Sequence, residues 1–145
     1  MAYIPVITRP TAVYHFTKKE NLDSILRSGT IYRMGDTECW FCKSLEDSLD
    51  VMKKTVMQPG KPYIKVGGSI GRYPEFHAEE YVIIKLIPKR ERGVWVRWMD
   101  ELPSNTAEEV KKASDEFCMK KIGFRGDLHF HSPEIYDVTT LLSRN

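Results

Sequence analysis

One histidine lies where an apolar segment meets an amphipathic one, and this junction offers the most specific chemistry in the sequence. His15 belongs to the apolar run of residues 13–16, and Thr17 follows it directly ahead of a helical pattern. The N-terminus of a helix presents free amide N–H groups and can hold an anion. Spacing alone leaves two interpretations of His15 open: a hydrogen-bonded histidine of the core, or a residue that contacts a bound ligand.

Two cysteines and two histidines have spacings that suit a metal site. Cys39 and Cys42 form a C-x-x-C pair, and His129 and His131 form an H-x-H pair. Together they would supply the nitrogen and sulfur ligands that zinc prefers. Cysteines three apart on a strand point to opposite faces, however, and free cysteines are often small buried hydrophobic residues. We therefore predict no metal, and keep a zinc-stabilised nucleic-acid-binding module as an alternative hypothesis.

Carboxylates and tryptophans in the second half of the chain are further candidates. Asp127 and Glu134 flank a predicted turn, although exposed carboxylates are more often solvated than catalytic. Trp95 and Trp98, with Arg97 between them, form an aromatic and basic pattern of the kind that stacks on single-stranded nucleic acid. The two tryptophans would lie on opposite faces of a strand. This placement favours core packing for at least one of them.

A helix is predicted over residues 18–28, and it is the first of the elements that must position these residues. Thr17 and Glu20 have the spacing of a capping box, in which each side chain bonds a backbone amide of the first turn. Apolar residues follow at helical spacing, and Gly29 supplies a left-handed stop. The sequence therefore predicts a strand that leads directly into a capped helix.

Two further helices are predicted from the same signals. Ser44 and Asp47 repeat the cap, and apolar residues at helical spacing follow until the Pro-Gly pair at 59–60. Thr106 and Glu109 predict a third cap, for a helix that reaches about residue 121. Each of these helices follows a predicted strand or a strand pair.

The strand predictions dominate the second half of the chain. The apolar runs at 81–87 and 93–98 are predicted to pair as an antiparallel hairpin, and segments 128–130 and 135–139 to form the last two strands. Strands of this kind with about three interspersed helices favour an α+β fold with a mostly antiparallel, split sheet. We predict one domain over residues 1–145.

Composition sets the broad class of protein. The 145 residues carry a net charge of +2, and 41% are hydrophobic and 29% charged, which is typical of one globular domain. Three cysteines suggest a reducing compartment. No signal-peptide pattern or long apolar run is visible, so we predict a cytoplasmic protein without a membrane partner. The charge is too small to indicate nucleic-acid binding by itself.

Three segments resemble motifs of the ADP-ribosyltransferase-like fold. Residues 14–17 (YHFT), with Asn21 and Gly29, resemble its opening, most closely in the DNA-targeting ADP-ribosyltransferase toxins and more distantly in the RNA 2′-phosphotransferases. Residues 40–44 (WFCKS) are similar to the second motif, an aromatic strand that ends in serine before a helix. Residues 126–135 resemble the closing strand, where the family usually carries a catalytic glutamate.

The resemblance implies that NAD is bound as a substrate. His15 and Thr17 would position the ribose and diphosphate of NAD, with His15 counted among the catalytic residues. Tyr32 or Trp40 would stack on the nicotinamide ring. Arg125 would neutralise a phosphate.

The resemblance also implies a catalytic acid that stabilises the oxocarbenium-like charge formed as nicotinamide leaves. Asp127 occupies the aligned position and is one methylene shorter than glutamate, while Glu134 is the acid if the alignment is shifted. Ser44 would support the acid.

Two functions therefore follow from the resemblance. The first is an NAD-binding ADP-ribosyltransferase-like protein that transfers ADP-ribose to a macromolecular acceptor, either protein or nucleic acid. The alternative is a non-catalytic interaction protein on the same scaffold, such as a phage-type or host-interaction factor, because the expected glutamate is missing.

Overall fold

Strands account for more of this chain than helices, and almost all of them join one sheet. The structure, a computed structural model, describes residues 2–33, 38–65, 67–90 and 92–144. The strands are β1 (Ala2–Val6), β2 (Val13–Lys18), β3 (Thr30–Ile31), β4 (Glu38–Cys42), β5 (Pro62–Ile64), β6 (Ile70–Arg72), β7 (Tyr81–Pro88), β8 (Val94–Met99), β9 (Lys121–Arg125) and β10 (Leu128–Asp137). The helices are α1 (Leu22–Ser28), α2 (Leu45–Lys54), α3 (Glu108–Met119) and α4 (Val138–Ser143).

The main sheet consists of two four-stranded halves. Its order is β1-β8-β9-β4-β2-β7-β10-β3, and β5 and β6 form a separate hairpin. Every pairing between the described strands is antiparallel. The halves meet where β4 lies beside β2, and there only Tyr14 and Cys42 are paired. The predicted α+β class with a mostly antiparallel sheet is confirmed.

Each face of the sheet carries its own core. Val13 and Ile84 belong to what we call the front face, which α1 covers with Leu22 and Ile25. The back face is covered by α2 and α4, whose Met52 and Val138 are fully buried against β7. Central strand β7 is therefore apolar on both sides. Alternation along β2 places His15 on the front face and Tyr14 on the back face.

Two helix-end predictions are confirmed and two caps are wrong. Gly29 ends α1 with a left-handed φ of 60°, and Ser44 caps α2 by accepting a 3.0 Å hydrogen bond from the Asp47 amide. Thr17 caps nothing, because β2 continues to Lys18 and a short 3₁₀ turn precedes α1. The cap predicted at Thr106 is also wrong. A cap at Thr106 requires the helix to begin at residue 107, whereas α3 begins at Glu108 and Ala107 is the residue before it.

The predicted hairpin between residues 81–87 and 93–98 is wrong. Both segments are strands, but β7 lies between β2 and β10, while β8 lies between β1 and β9. Both edges of β7 are already occupied, so proximity in sequence does not decide the pairing. Strand β1, which was not predicted from the sequence, supplies the outer partner of β8.

The C-terminal segment also differs from its prediction. The sequence predicts separate strands at 128–130 and 135–139, whereas the structure has one strand, β10, from Leu128 to Asp137. A bulge between His131 and Glu134 interrupts its pairing with β7. Residues Val138–Ser143 then form α4 rather than a strand. Val138 and Leu141 lie three apart and are buried together, so packing on the back face outweighs the strand preference of valine and threonine.

No helix within the described ranges is long and apolar enough to cross a membrane.

Candidate functional site

The junction between the two sheet halves opens into a cavity of about 420 Å³. Beyond the Tyr14–Cys42 pair, β2 and β4 form no further ladder pairs, so the strands separate. His15 and Phe16 of β2 line one wall, and Trp40 of β4 lines the other. The remaining walls are mainly apolar and aromatic and come from β3, β9, α2, α3 and the loops: Ile31, Tyr32, Val51, Thr55, Val56, Tyr73, Phe117 and Lys121.

His15 bridges the two halves of the sheet at this cavity. Its ring packs edge-on against Phe41 of β4, with 5.8 Å between the ring centroids. Burial lowers the pKa of His15 below its usual value, and a hydrogen bond with the Trp40 backbone acts in the opposite direction. The imidazole is therefore held mainly in its neutral form, with one nitrogen able to donate and the other to accept.

A second cavity, of about 310 Å³, lies on the front face between β2, α1 and β3. Its polar lining consists of hydroxyl and amide side chains from three short segments: Thr17, Asn21, Ser24, Ser28 and Thr30. Asn21 donates a 3.1 Å hydrogen bond to the Thr17 hydroxyl. Side chains of this kind recognise sugar hydroxyls and phosphate oxygens by hydrogen bonding rather than by net charge.

The two cavities adjoin and form one cleft. His15, Ile31 and Tyr32 line both of them. Tyr32 is 63% exposed, so its ring is free to stack on a ligand. The cleft thus has an aromatic half and a polar half, and His15 stands between them.

The cleft brings together four of the residues chosen from the sequence: His15, Thr17, Tyr32 and Trp40. Ser44 and Arg125 line neither half. The Ser44 hydroxyl is engaged in capping α2. The Arg125 guanidinium lies 5.1 Å above the ring of Tyr3, at the far end of β9.

Asp127 fixes the chain next to the cleft without lining it. The residue lies in the turn between β9 and β10, after Gly126 with its positive φ of 113°. One of its carboxylate oxygens accepts a 2.8 Å hydrogen bond from the Arg33 amide. Asp127 therefore holds the segment that carries Tyr32.

Glu134 lies on the opposite face of the sheet from His15. Glu134 is paired with Lys85, and Lys85 with Tyr14, so these three side chains share the back face. The carboxylate lies 3.6 Å from the Lys85 ammonium and accepts a 3.2 Å hydrogen bond from the Tyr136 hydroxyl. It does not approach the cleft.

The cysteines and histidines of the zinc hypothesis do not converge. Cys39 belongs to the front-face core, and Cys42, three residues on, faces the other side. Burial raises the pKa of the Cys39 thiol to about 12 and that of Cys42 to about 11. Within the described part of the chain, no three His, Cys, Asp or Glu residues lie close enough to hold a metal ion.

Several residues that line the cleft were not predicted from the sequence as site residues. On the polar side, Ser24 and Ser28 lie four apart on one face of α1, and Asn21 precedes them by three in the 3₁₀ turn, a spacing that could have revealed them. On the aromatic side, Tyr73 and Phe117 come from distant segments. Nothing local in the sequence connects these two residues with His15.

The neutral state of His15 predicts that the protein loses stability in mild acid. Because the pKa of His15 is lowered in the folded state, the unfolded chain takes up a proton first as the pH falls below about 6.5. The free energy of unfolding should therefore decrease below this pH, by at most about 1.4 kcal/mol per pH unit, until the folded-state pKa is reached. Urea denaturation of wild type and His15→Gln between pH 7.5 and 5 measures the difference, and parallel curves would contradict the prediction.

Comparison with protein-family models, with curated proteins and with solved structures finds no match to this chain. The interpretation of the cleft therefore rests on its own geometry and chemistry.

Proposed function

We propose that this chain is an NAD-binding, ADP-ribosyltransferase-like protein, with NAD held in the cleft between β2 and β4. The observation that carries the proposal is the position of His15, which lines both the aromatic and the polar half. A dinucleotide likewise combines flat aromatic rings, which suit the aromatic half, with polar ribose and phosphate groups, which suit the polar half.

The aromatic half suits the nicotinamide ring. In the oxidised cofactor this ring is flat and positively charged, and aromatic faces attract such cations. Trp40, Tyr32 and Tyr73 offer aromatic surface along the cavity. Release of nicotinamide would require little solvent reorganisation in a cavity with so apolar a lining.

The polar half suits the adjoining ribose. The neutral imidazole of His15 offers a donor or an acceptor to a ribose hydroxyl, and Thr17 and Asn21 lie on the same side. These groups are held by β2 and by the start of α1, which are supported by the front-face core. The arrangement would orient the ribose carbon at which nicotinamide leaves.

A non-catalytic interaction protein is the second candidate, and the carboxylates favour it. Of the described residues that line the two halves of the cleft, none is acidic. Asp127 is bonded to the Arg33 amide, and Glu134 lies on the other face. A transferase needs a group that stabilises positive charge on the ribose, so in this arrangement the acid would have to come from a moved Asp127 or from the acceptor.

Calorimetric titration with NAD, followed by incubation with labelled NAD and cell extract, tests both candidates. Binding with transfer of label to a macromolecule supports the transferase. Binding without transfer and without nicotinamide release supports a non-catalytic protein. Absence of any NAD binding by the folded protein would reject NAD as the ligand of the cleft.

A further inference from the structure

Two cationic cavities flank the connection between β1 and β2, at the other end of β2 from Thr17. The first, of about 270 Å³, is lined by Lys43 and Arg97 together with the threonines Thr8 and Thr11. The second, of about 410 Å³, is lined by Arg9, Arg92 and Trp95. Val6 lines both, so the two cavities are neighbours on the front face.

Two buried hydrogen-bond donors without acceptors lie at these cavities. Of the buried side-chain nitrogen and oxygen atoms in the described ranges, only Trp95 Nε1 and Arg97 Nε have no hydrogen-bond partner. The two residues are two apart on β8 and so lie on the same face of the sheet. A buried donor without a partner is unfavourable, which makes such a group informative about a missing acceptor.

The positive charge at the first cavity has no acidic partner among the described residues. Among the described residues, neither the Lys43 ammonium nor the Arg97 guanidinium takes part in an ion pair. No acidic side chain of the described segments lines either cavity. The backbone amide of Lys43 bonds the Lys120 carbonyl at 3.2 Å, which fixes the start of this side chain.

We propose that the cavity lined by Lys43 and Arg97 binds a phosphate group. A guanidinium presents its N–H donors in a planar fork that matches two phosphate oxygens, and an ammonium adds a second positive charge. The hydroxyls of Thr8 and Thr11 supply donors for the remaining oxygens. The chemistry fits a tetrahedral anion with several oxygens and is the same for free phosphate and for a phosphomonoester.

This site is separate from the NAD cleft. Val13 lines the phosphate cavity and Thr17 lines the polar half of the cleft, four residues further along β2. At the rise of a strand these positions are about 13 Å apart. The aromatic half begins closer, at Tyr14, but the side chain of Tyr14 lies on the opposite face of β2 from that of Val13. Neither Lys43 nor Arg97 lines the cleft. The two sites can therefore be removed independently by substitution.

Thermal denaturation in increasing inorganic phosphate, at an ionic strength held constant with sodium chloride, tests the proposal. We expect the melting temperature to rise saturably, by about 9 °C at a hundredfold excess over the dissociation constant. The rise should be lost in Arg97→Met and in Lys43→Met. The Lys43 side chain is exposed, so its replacement should not impair folding. It should persist in Lys112→Met, which removes an exposed lysine of α3.

Equal shifts in all four proteins, or no shift beyond that produced by chloride, would overturn the proposal. Phosphoserine distinguishes the source of the phosphate group. If it binds more tightly than inorganic phosphate and also requires Arg97, the ligand is a phosphomonoester, and equal affinities indicate the free ion. Retention of the phosphate shift in His15→Ala would show that the effect does not come from the cleft.

Discussion

Replacing His15 by alanine is expected to weaken NAD binding at least tenfold. The imidazole of His15 lines both halves of the cleft, as does the ring of Tyr32. Loss of the imidazole would remove the proposed hydrogen bond to the ribose and widen the passage between the halves. A tenfold change corresponds to about 1.4 kcal/mol, which is within the usual contribution of one buried hydrogen bond. Calorimetric titration with NAD measures the change directly.

His77→Ala provides the matched control. His77 is exposed, and its ring nitrogens lie 3.9 Å and 3.8 Å from the carboxylates of Glu75 and Glu79, which are long contacts. Its replacement should leave NAD affinity within about twofold of wild type. His15→Gln retains hydrogen-bonding capacity and should fall between the alanine variant and wild type. A folded His15→Ala protein with wild-type affinity would contradict the assignment of His15 to the NAD site.

The elements nearest His15 were predictable because their signals are local. The apolar run that forms β2 and the glycine that ends α1 act over a few residues. Ser44 was found as a helix cap for the same reason, since its hydroxyl bonds an amide only three residues away. Caps and stops of this kind depend on backbone geometry that the neighbouring sequence determines.

Strand pairing could not be predicted in the same way. The segments that form β7 and β8 were recognised as strands, but the hairpin between them was wrong. Pairing is decided by which edges remain free after the whole sheet has assembled, and β7 is buried on both faces. The α4 helix was missed because the burial of Val138 and Leu141 depends on the back face that they cover.

The cleft itself was only partly predictable. His15, Thr17, Tyr32 and Trp40 were named from the resemblance to the ADP-ribosyltransferase-like fold, and the structure places them along one cleft. Asp127 fails to join them because it lies in a turn, where its carboxylate accepts a hydrogen bond from the Arg33 amide. Glu134 fails to join them because the face of a strand residue depends on its pairing partner. Glu134 pairs with Lys85 on the back face, and this pairing cannot be predicted from the residues next to Glu134 in the sequence.

Replacing Phe41 by alanine should have the largest effect on stability, because this ring supports the cleft from the core. Phe41 is 2% exposed, and its ring lies 5.8 Å from that of His15 and 6.2 Å from that of Trp95. The sheet halves share only one ladder pair, so side-chain packing across their junction must supply much of the cohesion. Removing a buried phenylalanine side chain typically lowers the free energy of unfolding by about 3–5 kcal/mol. Urea denaturation measures this loss.

Two further variants separate packing across the junction from burial in general. Phe41→Leu keeps most of the apolar volume and should lower the free energy of unfolding by roughly 1.5 kcal/mol or less. Phe76 packs at the margin of the back-face core, 5.2 Å from the ring of Tyr81, and is only partly buried. Phe76→Ala should therefore lower the free energy of unfolding by less than Phe41→Ala does.

Because Phe41 also supports His15, Phe41→Leu should weaken NAD binding even where the protein remains folded, whereas Phe76→Ala should not. Equal NAD affinities in these two variants would show that His15 is positioned without Phe41.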